Sequence, residues 1–142
     1  MARLTIRIDL SGHGAIGPGK IRLLELIGES GSISAAGRAM KISYRRAWML
    51  IDNLNRCFRS PVVETQLGGT RGGGAELSAL GHDVIARYRA IEQAAAKATA
   101  TQLAALDAAQ ATRKTAGVRR RPASAHPRHR SPLMPRRARA ST

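Results

Sequence analysis

The stretch "SISAAGRAMKISYRRAWMLIDNLNRCF", Ser32 to Phe58, decides the fold. Ser34 is expected to cap a short helix in which Ala35, Ala36 and Gly37 are small enough for another helix to approach closely. A tight turn is expected around Lys41 and Ile42. Ser43 then stands where it can cap a further helix running to about Phe58. At about 100° per residue, Ala47, Leu50, Ile51, Leu54 and Phe58 fall on one face of that helix, opposite Arg45, Met49, Asp52 and Arg56. Tyr44 and Trp48 lie on one flank, Arg46 and Asn53 on the other. Two helices joined by a few residues, the second opening on Ser, have the layout of a helix-turn-helix, with Tyr44, Arg45, Arg46 and Met49 as its reading head. For Trp48, packing against a neighbouring helix and contact with DNA are both open. Met49 is outward and suited to thymine methyl groups.

Upstream, "LTIRIDL" alternates Leu4, Ile6, Ile8 and Leu10 with polar residues, the period of a half-buried strand, and the glycines of "SGHGAIGPGK" are expected to end it. A helix over about 18–29 follows, with Ile21, Leu23, Leu24, Leu26 and Ile27 as its apolar stripe and Gly28 and Gly31 at its close. Downstream, Pro61 ends the Ser43 helix. "VVETQL" (Val62 to Leu67) and "AELS" read as two strands joined by the glycine-rich "GGTRGGG". A long helix over about 78–106 carries Leu80, Val84, Ile85, Tyr88, Ile91, Leu103 and Leu106 on one side. Such a stripe exceeds what a small core can cover, and twofold self-association would let it serve as its own partner.

The 142 residues carry 24 Lys and Arg against 9 Asp and Glu, a net charge of +15 that points to a polyanionic partner. The charge divides unevenly, with +5 on residues 1–112 and +10 on residues 113–142. The basic end, "RKTAGVRRRPASAHPRHRSPLMPRRARAST", has too few large apolar residues to offset its ordering entropy and is expected to be disordered. Its composition is equally that of an arm on DNA phosphates and that of a shifted reading frame in a GC-rich gene. A single cysteine, Cys57, excludes an intrachain disulfide and a cysteine-rich zinc site and suits a reducing compartment. No apolar run approaches the roughly 20 residues of a membrane span, and the amino terminus does not read as a signal peptide. A cytoplasmic protein without membrane association is expected.

Enzymatic readings find little support. A phosphate-binding P-loop needs Lys and then Ser or Thr after its glycines, and opens a helix; in "GGTRGGGAELS" that pair is missing and a strand follows. His13, His82, His126 and His129 stand at no metal-ligand spacing, and no nucleophile elbow occurs. Cys57 reads as a small packing residue. No catalytic residue, metal site or cofactor is expected. The glycine loop reads instead as a wing, with Arg71 at its tip near a phosphate or the minor groove.

The words "GSISAAGRAMKISYRRAWMLIDNLN" and "VVETQLGGTRGGGAELSALG" resemble the ModE family of molybdate-responsive transcriptional regulators over about residues 17–92. The second phrase is the more specific, since LysR-type regulators share the Ser-capped helix and the start of the long helix but lack the triple glycine. The resemblance implies a winged helix-turn-helix domain, dimerisation through the amino-terminal strand and long helix, and a palindromic operator. Carried over by position, Ser43, Tyr44, Arg45 and Arg46 open the recognition helix and Arg71 tips the wing. The family's carboxy-terminal molybdate-binding module is expected to be missing, because strand alternation stops after about residue 107. Any effector is therefore left open.

The expected fold class is mainly α with a small β-wing: a winged helix-turn-helix over 1–107 with a long carboxy-terminal dimerisation helix, then a basic tail over 108–142. The expected function is sequence-specific regulation of transcription by a homodimer on double-stranded DNA. Ser34, Ser43, Tyr44, Arg45, Arg46, Trp48, Met49 and Arg71 are its candidate DNA-binding residues. The alternatives are a sequence-indifferent nucleic-acid binder driven by the tail and a dimerisation partner of a full-length regulator.

Overall fold

A computed structural model describes residues 1–12, 14–66 and 74–111. In chain order the elements are β1 (Ile8–Leu10), β2 (Gly14–Ile16), α1 (Pro18–Ser30), α2 (Ile33–Ala39), α3 (Tyr44–Cys57), β3 (Val63–Gln66), β4 (Gly74–Leu77) and α4 (Ala79–Ala108). The described residues are thus mainly helical, with two separate antiparallel pairs, β1–β2 and β3–β4. The expected wing tip, Arg71, and the basic stretch from residue 112 lie outside the described residues.

Helix α1 starts with Pro18, whose fixed φ suits a first helical position, and ends on Gly31 in the left-handed region at φ 68. Gly28, expected beside Gly31 at the helix end, instead lies within α1. There it meets Leu77 of β4: a Cβ would sit 2.8 Å from Leu77 Cδ1. Ile21, Leu23, Leu24 and Ile27 are buried, as the stripe predicts, while Leu26 is half-buried.

Helix α2 begins earlier than expected. Ser32, not Ser34, is its cap, accepting a hydrogen bond from the Ala35 N–H at 3.1 Å. Ile33 is buried, which pulls the helix start toward the core. The helix closes with Ile42 N–H on the Gly37 carbonyl and Lys41 N–H on the Arg38 carbonyl, both at 3.0 Å. This pairing is a Schellman closure, and it sets Lys41 at φ 59, where glycine is the usual occupant. Gly37 lies against Ala47 of α3, where an added Cβ would be 3.4 Å from the Ala47 Cβ, so the small residues do permit close crossing.

The amino-terminal strand is shorter than its alternation suggests. Only Ile8–Leu10 pairs, and its partner is Gly14–Ile16, from the glycine-rich segment expected merely to end the strand. The Ile8–Ile16 register places buried Ile16 under the sheet. Ahead of β1 the expected alternation holds only in part: Ile6 is half-buried and its carbonyl accepts the Tyr88 hydroxyl at 2.7 Å, but Leu4 is exposed because it precedes the paired strand.

Helix α4 is capped by Ser78, which accepts from the Gly81 N–H at 3.0 Å and donates its hydroxyl to the Pro61 carbonyl at 2.7 Å. Gly81, Val84 and Tyr88 are buried in the first three turns. Beyond them Ile91 and Leu106 stay exposed and Leu103 is half-buried. The junction of α4 with α1 is ionic: Arg89 bridges Glu25 at 2.5 Å and Glu92 at 2.6 Å, holding its guanidinium well above the usual arginine value. Among the described residues, no helix is long and apolar enough to cross a membrane.

Candidate nucleic-acid interface

The Ser43 hydroxyl accepts from the Arg46 N–H at 3.1 Å, so it satisfies an otherwise orphaned donor and fixes where α3 begins. Burial of Ala47, Ile51 and Leu54 then sets the rotation of the helix. Leu50 and Phe58, expected on the same inner face, are only half-buried because they sit at its margin. At the other end Asn55 fastens α3 to the next segment. Its carboxamide oxygen accepts from the Val62 and Val63 N–H groups at 2.9 and 3.2 Å, and its Nδ2 donates to the Val63 carbonyl at 3.3 Å. The outward face is therefore held at both ends.

That face carries Tyr44, Arg45, Arg46, Trp48 and Met49, all exposed. Tyr44 and Met49 each keep 59% of their surface open and Trp48 37%, so Trp48 is not a core residue. The two rings meet edge to face at 6.1 Å, one helical turn apart, an arrangement that orients both without burying either. Neither Arg45 nor Arg46 has an ion pair or side-chain hydrogen bond with any described residue. Further along, Arg56 is occupied by Asp52 at 2.9 Å. The charge distribution along α3 is thus graded: unpaired cations at its amino-terminal half, a neutralised pair beyond.

The structure brings together five of the eight candidate residues on one surface, with Ser43 as their anchor. Ser34 departs from expectation: it lies inside α2, and its hydroxyl accepts from Arg38 at 3.3 Å. Arg71 lies outside the described residues; the β3–β4 pair is tied across its strands by Gln66, which donates to Glu76 at 3.2 Å. Sequence reasoning missed Lys20 and Arg7, which come close to Arg46 and Asn53 only through the fold. Asn55 was missed as well, because its partners are set by the path of the chain after α3. No group of three or more His, Cys, Asp or Glu side chains able to hold a metal ion occurs among the described residues.

No protein-family model matches the chain. It is 38% identical over 92 residues to the molybdenum transport protein ModE of Azotobacter vinelandii, covering 65% of this chain and 33% of that protein. To the molybdenum-pterin-binding protein MopB of Rhodobacter capsulatus it is 44% identical over 82 residues, 58% of this chain and 30% of the other. To the DNA-binding transcriptional dual regulator ModE of Escherichia coli (strain K12) it is 40% identical over 81 residues, 57% of this chain and 31% of the other. The chain thus spans about a third of the length of these relatives.

Proposed function

We propose that the protein is a sequence-specific DNA-binding regulator of transcription, a winged helix-turn-helix in which α2 and α3 form the reading unit and the β3–β4 hairpin the wing. The observation that carries this is the outward face of α3, where two arginines without a partner among the described residues stand beside exposed Tyr44, Trp48 and Met49. Leaving that much apolar surface and uncompensated charge on a rigid, capped helix contributes nothing to stability. It is what a major-groove reader requires, since arginine addresses guanine edges and phosphates and apolar side chains address thymine methyl groups. Similarity to a relative described as a DNA-binding regulator supports the same reading.

In this reading Arg45 and Arg46 contact base edges or phosphates at the start of α3, and Arg71, at the wing tip, touches the flanking backbone. Exposed Ile91 and Leu106 on α4 supply the apolar stripe of a homodimer, whose symmetry spaces the half-sites about one helical turn or a multiple apart. A cytoplasmic location accompanies this function, and no catalytic step is assigned. The name of one relative, the molybdenum-pterin-binding protein MopB, carries a second reading, binding of a molybdenum pterin. Addition of that ligand or of molybdate to a DNA-binding assay separates the two.

The test is selection of the full chain on randomised duplex DNA at about physiological salt, where nonspecific contacts are weakened. An enriched palindrome is expected. The double change Arg45→Ala, Arg46→Ala is expected to abolish enrichment, and deletion of residues 113–142 to leave it. Enrichment of nothing by the folded protein rejects sequence-specific reading. Loss of all binding on deletion of the tail favours a tail-driven binder.

A further inference from the structure

On the flank of α3 that carries Arg46 and Asn53, a cleft of about 620 Å3 opens against the β1–β2 hairpin and the start of α1. Its floor is mostly apolar, with Ile16, Met40 and Leu50 in it, but three of the lining side chains are cations, Arg7, Lys20 and Arg46, and none is a carboxylate. Lys20 is held in place: its ammonium donates to the Ala15 carbonyl at 2.7 Å and to Asn53 Oδ1 at 2.8 Å. Two of its three donors are thereby committed to fixing the group, and the third is available. Arg46 has no partner among the described residues. Arg7 pairs with Asp9 at 2.9 Å, but both side chains are about three-quarters exposed, so the pairing is weak and easily exchanged.

The cleft is also continuous with the outward face of α3, because Arg46 belongs to both. An occupant attracted by these cations is therefore an anion adjoining whatever α3 touches. A single free oxyanion would fill little of the space, whereas a polyanionic strand passing along the flank of α3 would meet more than one of these cations.

The geometry points to a binding site for the DNA sugar-phosphate backbone in this cleft, made by Lys20 and Arg7 beside Arg46. The inference rests on the DNA-binding reading above and adds to it two residues outside the helix-turn-helix. Their role is to position: groups that hold phosphates set the register of a reading helix and carry no base information of their own. Lys20, braced by Asn53 of α3 itself, links the backbone grip rigidly to the helix that reads.

The test uses the full chain, with Lys20→Gln and Arg7→Gln made separately and duplex binding measured by fluorescence anisotropy across about 0.05–0.2 M salt. Each change is expected to weaken binding to selected and random duplexes alike, by roughly three- to tenfold at low salt. The slope of log K against log salt should become shallower by about 0.9 for each phosphate that the variant no longer neutralises. Because Lys20→Gln also removes the bonds to Ala15 and Asn53, Arg7→Gln, which disturbs only an exposed pair, keeps the test sound if the first variant melts early. Unchanged slopes in folded variants overturn the proposal. So does binding of inorganic phosphate by the wild type, but not by Lys20→Gln, with DNA slopes unaltered, since that identifies a free-oxyanion site. A wild type that enriches no sequence while both slopes fall rejects sequence reading and retains the cleft; enrichment with unchanged slopes does the reverse. A wild type that binds no DNA overturns both.

Discussion

Replacing Gly81 by alanine tests whether the junction between α4 and the segment before β3 is as tight as it looks. In an open helix, Gly→Ala is stabilising by about 1 kcal/mol. Here the added Cβ would land on the Val62 carbonyl oxygen, with the Val62 carbonyl carbon 3.2 Å and Leu77 Cβ 3.5 Å away. The oxygen cannot swing aside, because it accepts from the Ser78 N–H at 3.0 Å, while the neighbouring Pro61 carbonyl accepts the Ser78 hydroxyl. Relief requires the first turn of α4 to lift away, weakening these bonds and the Ser78 cap. Overpacking of this kind costs about 1–3 kcal/mol, and each weakened hydrogen bond up to about 1 more. Set against the helical gain, the net expectation is a loss of about 2 kcal/mol, a fall in Tm of about 8–16 °C. Gly19→Ala is the control. It is also helical, but nothing lies within 4 Å of its added Cβ. It should gain about 0.5 kcal/mol by restricting the unfolded chain. Thermal unfolding followed by circular dichroism at one fixed protein concentration compares the two. A Gly81→Ala protein melting at or above the wild type refutes the reasoning.

Other expectations concern single groups. Tyr88→Phe should lower stability at neutral pH by about 1 kcal/mol through loss of the bond to the Ile6 carbonyl, measured by urea unfolding. Burial pushes the Tyr88 hydroxyl up, with Glu92 adding and Arg89 opposing. Its contribution is thus whole below the unfolded value near 10 and disappears as pH climbs through the higher folded value, so wild-type stability should fall more steeply in alkali than that of Tyr88→Phe. Lys41→Gly, at φ 59, should raise the urea midpoint by the equivalent of about 0.5–1 kcal/mol; an unchanged or lower midpoint speaks against strain at that turn. Trp48 is the single tryptophan and is exposed. Its emission should resemble that of tryptophan in water and be quenched when duplex DNA is added; emission indifferent to saturating DNA would remove Trp48 from the interface.

The helices were legible because each stripe is long enough to show its period and because Ser43 and Ser78 stand directly before the first apolar turn. The start of α2 was not, since Ser32 and Ser34 are equally good caps in isolation. Only the burial of Ile33 decides between them, and seven residues are too few to show a stripe. The β1–β2 pair was hidden by composition: a three-residue strand, Gly14–Ile16, has no room to alternate, and the glycines in and around it read as a break. On the candidate face of α3, the helical wheel places Tyr44, Arg45, Arg46 and Met49 outward, and all four are exposed. Trp48 was undecidable from a flank position, because whether a flank is covered depends on the neighbouring helix. Lys20 and Asn53 are 33 positions apart, and no local pattern announces a bond between them. Gly81 likewise has the look of an ordinary glycine in the sequence, and only the fold sets Val62 beside it.

The first residues and the far end of α4 are joined: the Ala2 N–H donates to Asp107 at 2.7 Å, and the terminal ammonium lies 3.6 Å from the same carboxylate. Together with the Tyr88–Ile6 bond, this closes a ring of more than a hundred residues between the segment ahead of β1 and α4. At the usual elongation rate of about 5–20 residues per second, the amino-terminal segment waits roughly 5–20 seconds for the helix it rests on to be made. Helices α1 to α3, whose contacts are mostly local, have their partners much sooner. The segment ahead of β1 is thus among the last parts of this fold to be seated, because its partners lie 82 and 105 positions downstream.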